Sequence, residues 1–131
     1  MKLRKIVSAL LLAFAVTMSA SPAFAATGSF PWNVSMTHQV DSRNWTQTSG
    51  STTIKSYLGC WGNSQVTTYR IELFKNRTFA DTSYGAVTYT CSLTQQHTWT
   101  NLPSGTFHFT ISKATDGKTA TGSGTVTYPS N

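Results

Sequence analysis

The run Trp99-Thr-Asn-Leu-Pro-Ser-Gly-Thr-Phe-His-Phe-Thr-Ile-Ser112 holds the clearest fold signal in the chain. Phe107, Phe109 and Ile111 alternate with Thr106, His108, Thr110 and Ser112. A period of two with one apolar side reads as a half-buried strand. Trp99 leads through Leu102 into the turn Pro103-Ser104-Gly105. Downstream, Asp116-Gly117 is a favoured two-residue hairpin turn, because Gly accepts positive φ and Asp tolerates it. The return strand, about Thr119 to Tyr128, puts Ala120, Gly122, Gly124, Val126 and Tyr128 on one face. Small residues opposite Phe107 and Phe109 suggest complementary packing or a bulge. The expectation is a hairpin closed at Asp116-Gly117.

Toward the N-terminus the same period recurs. Phe30, Trp32, Val34, Met36, His38 and Val40 share one face of a first strand. Ile54, Leu58 and Cys60 lie on one side of Thr52–Cys60; Tyr69, Ile71 and Leu73 alternate within Val66–Lys75; Val87, Tyr89, Cys91 and Leu93 point one way in Ala86–Leu93. About seven short strands result, separated by turn-rich pieces such as Gln47–Gly50, Gly62–Ser64 and Thr82–Gly85. No sustained helical period interrupts them. This pattern predicts an all-β, antiparallel β-sandwich. Cys60 and Cys91 both fall on apolar strand faces, as a core disulfide requires. Closing that loop stabilises a fold by about 3–4 kcal/mol in the chain-entropy model.

The first 25 residues read as a signal peptide. Lys2, Arg4 and Lys5 precede an apolar run from Ala9 to Val16, and Ala23-Phe24-Ala25 supplies the small residues of a cleavage site. The run is too short for a permanent membrane span. Residues 26–131 are then a single secreted domain, free of the cell or loosely held at its wall. An oxidising destination agrees with a disulfide. Without the leader, seven basic residues face four acidic ones, an excess of three. They are scattered, with only Lys75 and Arg77 close together. A nucleic-acid partner would call for a clustered basic face, and none is expected. Stable membrane insertion is not expected either, for lack of a basic amphipathic helix.

The segment Trp99–Ile111, with its Leu-Pro-x-Gly-x-aromatic core, resembles one found late in secreted bacterial immunoglobulin-like and fibronectin-III-like modules. The resemblance covers about a quarter of the chain after the leader. It implies that architecture and no particular activity. In immunoglobulin domains a Trp between the cysteines packs on the bond. Here Trp61 directly follows Cys60, and alternation turns it away.

Chemistry-bearing groups are sparse. His38, His97 and His108 sit on separate strands with no paired spacing, and the carboxylates are Asp41, Glu72, Asp81 and Asp116. A metal site wants three or four ligands, and glycoside chemistry wants two convergent carboxylates. No Gly-x-Ser-x-Gly elbow appears. The expectation is therefore no enzyme, no cofactor and no metal. Aromatic residues in polar settings stand out instead: Trp45 within Asp41–Gln47, Trp61 in Gly-Cys-Trp-Gly-Asn, and Tyr84 before Gly85. Each ring either stacks on a sugar or protein surface or caps the core. With Arg43, these three are the candidate binding residues, and the expected partner is an extracellular protein or a cell-surface glycan. A secreted effector, antimicrobial or hydrolase-inhibiting, is the second reading, with Asp41–Gly50 as its exposed loop. The uncharged, Thr-rich strand near the C-terminus is also a candidate edge for self-pairing.

Overall fold

The computed structural model describes residues 26–60 and 65–131. The predicted leader, 1–25, and Trp61 lie outside the described residues. Alternating apolar and hydroxyl side chains produce nine strands: β1 (Ala26–Met36), β2 (Gln39–Asp41), β3 (Trp45–Gln47), β4 (Gly50–Cys60), β5 (Thr68–Lys75), β6 (Thr82–Thr90), β7 (Gln95–Leu102), β8 (Gly105–Ser112) and β9 (Ala120–Ser130). They form two antiparallel sheets packed face to face. One runs β1-β9-β4-β7; in the other β2 and β3 both pair β8, followed by β5 and β6.

The pairs β5·β6, β4·β7, β2/β3·β8 and β1·β9 are those of one long folded hairpin whose tip is the loop 76–81. Rolling that hairpin up adds β4·β9 and β5·β8. This is the strand order of a jelly roll, a double-sheet way of limiting exposed edges. Immunoglobulin sheets instead run A-B-E-D and C-F-G. The Leu-Pro-Ser-Gly segment is here the corner by which the chain passes from β7 in one sheet to β8 in the other. Such a corner suits any sandwich, which is why it resembles one family without carrying its topology.

The expected hairpin at Asp116-Gly117 does not form. Gly117 has φ +71°, as the turn residue should, yet β8 and β9 belong to different sheets. Asp116 instead holds Lys113, whose nearly buried ammonium lies 2.6 Å from its carboxylate. The small residues of β9 face other partners than Phe107 and Phe109. Gly124 lies opposite Trp32 on β1 and Ser56 on β4, and Gly122 opposite Val34 and Leu58. A Cβ on Gly124 would come 1.9 Å from the Lys55 carbonyl and 2.6 Å from the Trp32 ring. β9 is thus central between β1 and β4, not the edge expected for self-pairing. The predicted first strand also divides. Its chain bends at Thr37-His38 and crosses from β1 to β2 in the opposite sheet, leaving His38 exposed with its Nδ1 2.7 Å from the Lys113 carbonyl oxygen.

The inward faces build one core, in which Ile54, Leu58, Ile71, Leu73, Phe107 and Val126 are wholly buried. Cys60, ending β4, and Cys91, just after β6, form a disulfide that ties one sheet to the other. Polar groups inside are mostly satisfied, as burial demands. The Tyr69 and Ser56 hydroxyls lie 2.7 Å apart, and Tyr89 donates to the Ile54 carbonyl at 3.0 Å. The two phenol rings stack with centroids 5.4 Å apart.

Burial pushes both phenols above the ordinary tyrosine value; a bond with Ser56 partly offsets this at Tyr69, while at Tyr89 the neighbouring Tyr69 adds to the rise. In the unfolded chain both would ionise near pH 10. Folding therefore keeps protons that the unfolded state releases. The associated stability is fully present below about pH 10 and falls as pH rises through the folded values. Urea midpoints measured from pH 8 to 12 should drop above about pH 10, and the drop should shrink in Tyr89→Phe. A flat profile would contradict this.

Candidate functional site

β1 is the outer strand of one sheet and β2 that of the other, so their divergence after Thr37-His38 leaves the side of the sandwich open. A cleft of about 620 Å³ occupies this opening. That size lies within the usual range for ligand sites. Its apolar wall comes from inward positions of three strands: Trp32 and Val34 of β1, Val40 of β2, and Phe109 and Ile111 of β8. Trp32 packs edge-on against Phe109, with centroids 5.4 Å apart. The missing side chain at Gly124 admits its ring.

The polar rim follows from a break in strand pairing. Asp41 pairs with Thr110 and Trp45 with Phe107, so residues 42–44 face only 108–109 on β8. One extra residue makes this a bulge, a device that re-aims side chains beside functional sites. Ser42 keeps the ladder intact by donating its backbone N–H to the Phe109 carbonyl and accepting the Phe109 N–H on Oγ, both at 2.8 Å. Arg43 then lies on the rim with its guanidinium 4.4 Å above the Phe30 ring, a cation–π contact. Arg43 has no carboxylate partner among the described residues. Asp41 accepts the Thr110 hydroxyl at 2.7 Å.

The cleft thus presents aliphatic and aromatic walls, one carboxylate acceptor, one guanidinium donor and the neutral groups of Asn33, Ser42 and Ser123. It can stack and hydrogen-bond a ligand. One further feature stands out. The Trp32 indole N–H is buried and has no hydrogen-bond partner among the described residues, which is costly for a buried donor.

The candidate residues read from sequence are not brought together. Arg43 is at the cleft. Trp45 is 4% exposed and packs against Phe30, Phe107, Phe109 and Tyr128, so its ring fills the core and offers no face to a ligand. Tyr84, half-buried on β6 at the far edge of the second sheet, packs near Phe107 with centroids 6.0 Å apart. The expected free loop, Asp41–Gly50, contains strand β3 bonded to β8.

Sequence reading missed two features. Trp32 and Val34 read as ordinary core positions, because only the parting of β1 from β2 exposes them to a cleft. Phe79 is 100% exposed at the tip of the β5–β6 loop, in the polar setting Asn-Arg-Thr-Phe-Ala-Asp that drew attention to Trp45. That loop is braced at its base: the Arg77 N–H donates to Asp81 at 3.0 Å, and the Arg77 side chain donates to Thr82. Asn76 donates its N–H to the Thr106 carbonyl at 2.8 Å and its side chain meets His108. No group of three or more metal-ligating side chains occurs among the described residues, and no helix there is long and apolar enough to cross a membrane.

No protein-family model matches the chain, and no curated protein matches it in sequence.

Proposed function

We propose that this protein is a secreted, non-enzymatic β-sandwich module that binds an extracellular protein or glycan surface through the β1–β2 cleft. The observation that carries the reading is a concave apolar wall rimmed by Asp41 and by Arg43, which has no carboxylate partner among the described residues. This is the composition of small-ligand and glycan sites: apolar contact for affinity, a few polar groups for orientation. Among the described residues Asp41 is the only carboxylate in the lining and no histidine joins it, so the set suits binding better than proton transfer. Export is supported by the Cys60–Cys91 disulfide, which persists in oxidising compartments.

The test is co-sedimentation of the 26–131 protein with insoluble cell walls and polysaccharides. Saturable binding is expected, weakened at least about tenfold by Arg43→Ala, the loss of roughly one charged hydrogen bond. Val40→Trp, which fills the cleft, should weaken it as well. Sedimentation that both variants retain, or none at all, would overturn the reading.

A second reading, a secreted effector acting on another protein, is favoured by Phe79. A fully exposed phenyl on a braced loop resembles an anchor residue for a partner's apolar pocket. Growth inhibition of neighbouring bacteria that disappears in Phe79→Ala, with folding intact, would select this reading.

A further inference from the structure

We infer that a second groove, on the outer face of the sheet that contains β5, binds a sulfate or phosphate monoester. It shares no lining residue with the β1–β2 cleft. The groove measures about 520 Å³ and lies where β2, β8, β5 and β6 run side by side. Chain before β5 (65–67) and after β8 (113–114) closes one end of it.

Strand register sets its floor. Gln39 of β2 is directly opposite Ser112 of β8, Ser112 opposite Arg70 of β5, and Arg70 opposite Thr88 of β6. The neighbours Tyr69, Ile71, Tyr89 and Ile111 are buried, so alternation turns this row to the outside. Adjacent strands lie about 4.8 Å apart. Arg70 therefore has a hydroxyl-bearing residue on each side.

Charge then selects the sign of the ligand. Among the described residues the lining contains no carboxylate. The ammonium of Lys113 is already spent on Asp116, 2.6 Å away, and His38 Nδ1 on the Lys113 carbonyl. Arg70 has no carboxylate partner among the described residues. Asp41 and Glu72 stand in the next row, both opposite Thr110, and both are engaged there. Asp41 accepts the Thr110 hydroxyl and Glu72 that of Ser83, each at 2.7 Å. Ser83 pairs with Phe74, on the side of Glu72 away from Arg70, so that carboxylate leans out of the groove. One guanidinium is left free for an anion.

Hydrogen bonding narrows the class. The hydroxyls of the neighbouring row are satisfied by carboxylates. Those of Ser112 and Thr88 have no hydrogen-bond partner among the described residues. A guanidinium fork takes two oxygens in one plane, which uses up a carboxylate. A sulfate or phosphate monoester has three terminal oxygens, and the third remains for a flanking hydroxyl. One forked charged donor between two neutral ones matches that set.

The test is NMR titration of the 26–131 protein with methyl sulfate and with acetate, ions of equal charge that carry three and two terminal oxygens. Saturable shifts are expected at the amides of 39, 70, 88 and 112. Methyl sulfate should be favoured about fivefold, the worth of one further neutral hydrogen bond. Arg70→Gln, at an exposed position outside the core, should weaken methyl sulfate binding at least about tenfold, the loss of a charged hydrogen bond. The double variant Ser112→Ala, Thr88→Ala should still bind acetate but lose the preference. Methyl phosphate, titrated in parallel, distinguishes the two sources, the tighter ligand naming the ester. Equal affinity for methyl sulfate and acetate overturns the inference. So do shifts centred elsewhere, binding that survives Arg70→Gln, or no saturable shift. The probes carry no sugar, so none of these outcomes bears on the cleft, which stands or falls by sedimentation of its own variants.

Discussion

Trp45→Ala is expected to lower the unfolding free energy by about 3–5 kcal/mol, the range for removing a large buried aromatic. Trp45 sits where rings from both sheets meet. Its centroid lies 5.4 Å from that of Phe30 and 6.2 Å from Tyr128 on one side, and 6.3 and 6.4 Å from Phe107 and Phe109 on the other. Truncation leaves a cavity bounded by rings of β1, β8 and β9, and the pairing of these strands resists collapse into it. The loss is also polar. The indole N–H donates to Gln47 Oε1 at 2.8 Å, beside the Thr52 hydroxyl at 2.7 Å. Trp45→Phe should therefore cost less than the alanine variant, since it keeps a ring and loses one donor. Urea unfolding at neutral pH measures both. A loss below about 1 kcal/mol for Trp45→Ala, typical of surface positions, would mean that the ring is not part of the core.

Breaking the Cys60–Cys91 bond should cost about 3–4 kcal/mol, the chain-entropy value for a loop of this length. The cysteines are 31 residues apart, and the loop between them contains β5 and β6. In the native state the bond ties the end of β4 to the chain just after β6, one sheet to the other. In the unfolded state it holds those segments together when nothing else does. Its removal therefore acts chiefly through the unfolded chain, which gains freedom and exposes more surface. The double variant Cys60→Ser, Cys91→Ser should show a lower urea midpoint together with a steeper slope, since slope follows the surface exposed. Its Tm should fall by roughly 10–30 °C at the usual conversion for a small domain. A loss of unfolding free energy under about 1 kcal/mol, with slope unchanged, would contradict the predicted role.

Both predictions concern features whose roles the sequence half discloses. Alternation reports which side of a strand faces inward, and it did so for Phe107, Phe109, Ile111, Val126 and Ala120, all buried. It cannot report which sheet a strand joins, because inward faces of the two sheets look alike. Asp116-Gly117 has the chemistry of a tight turn, and Gly117 does take positive φ. Its carboxylate accepts the Lys118 N–H across that turn and also holds Lys113, but the chain continues across to the other sheet. No Gly or Pro marks the bend at Thr37-His38, so β1 and β2 read as one strand. The cleft exists only because they part, which made Trp32 and Val34 indistinguishable from core residues. Trp45 shows the converse limit. Its neighbours Asn44 and Thr46 are exposed while its own ring turns inward, so a polar local context did not imply an exposed ring.

The central claim is that this sandwich engages its partner through the opening between β1 and β2. Backbone amide NMR spectra of the 26–131 protein, recorded while solubilised cell-wall glycan is added, test it most directly. Progressive, saturable shifts should concentrate on residues 32–34, 40–43, 109–111 and 123–124, which line the cleft. Shifts confined to the Phe79 loop, or no shifts at all, would contradict it.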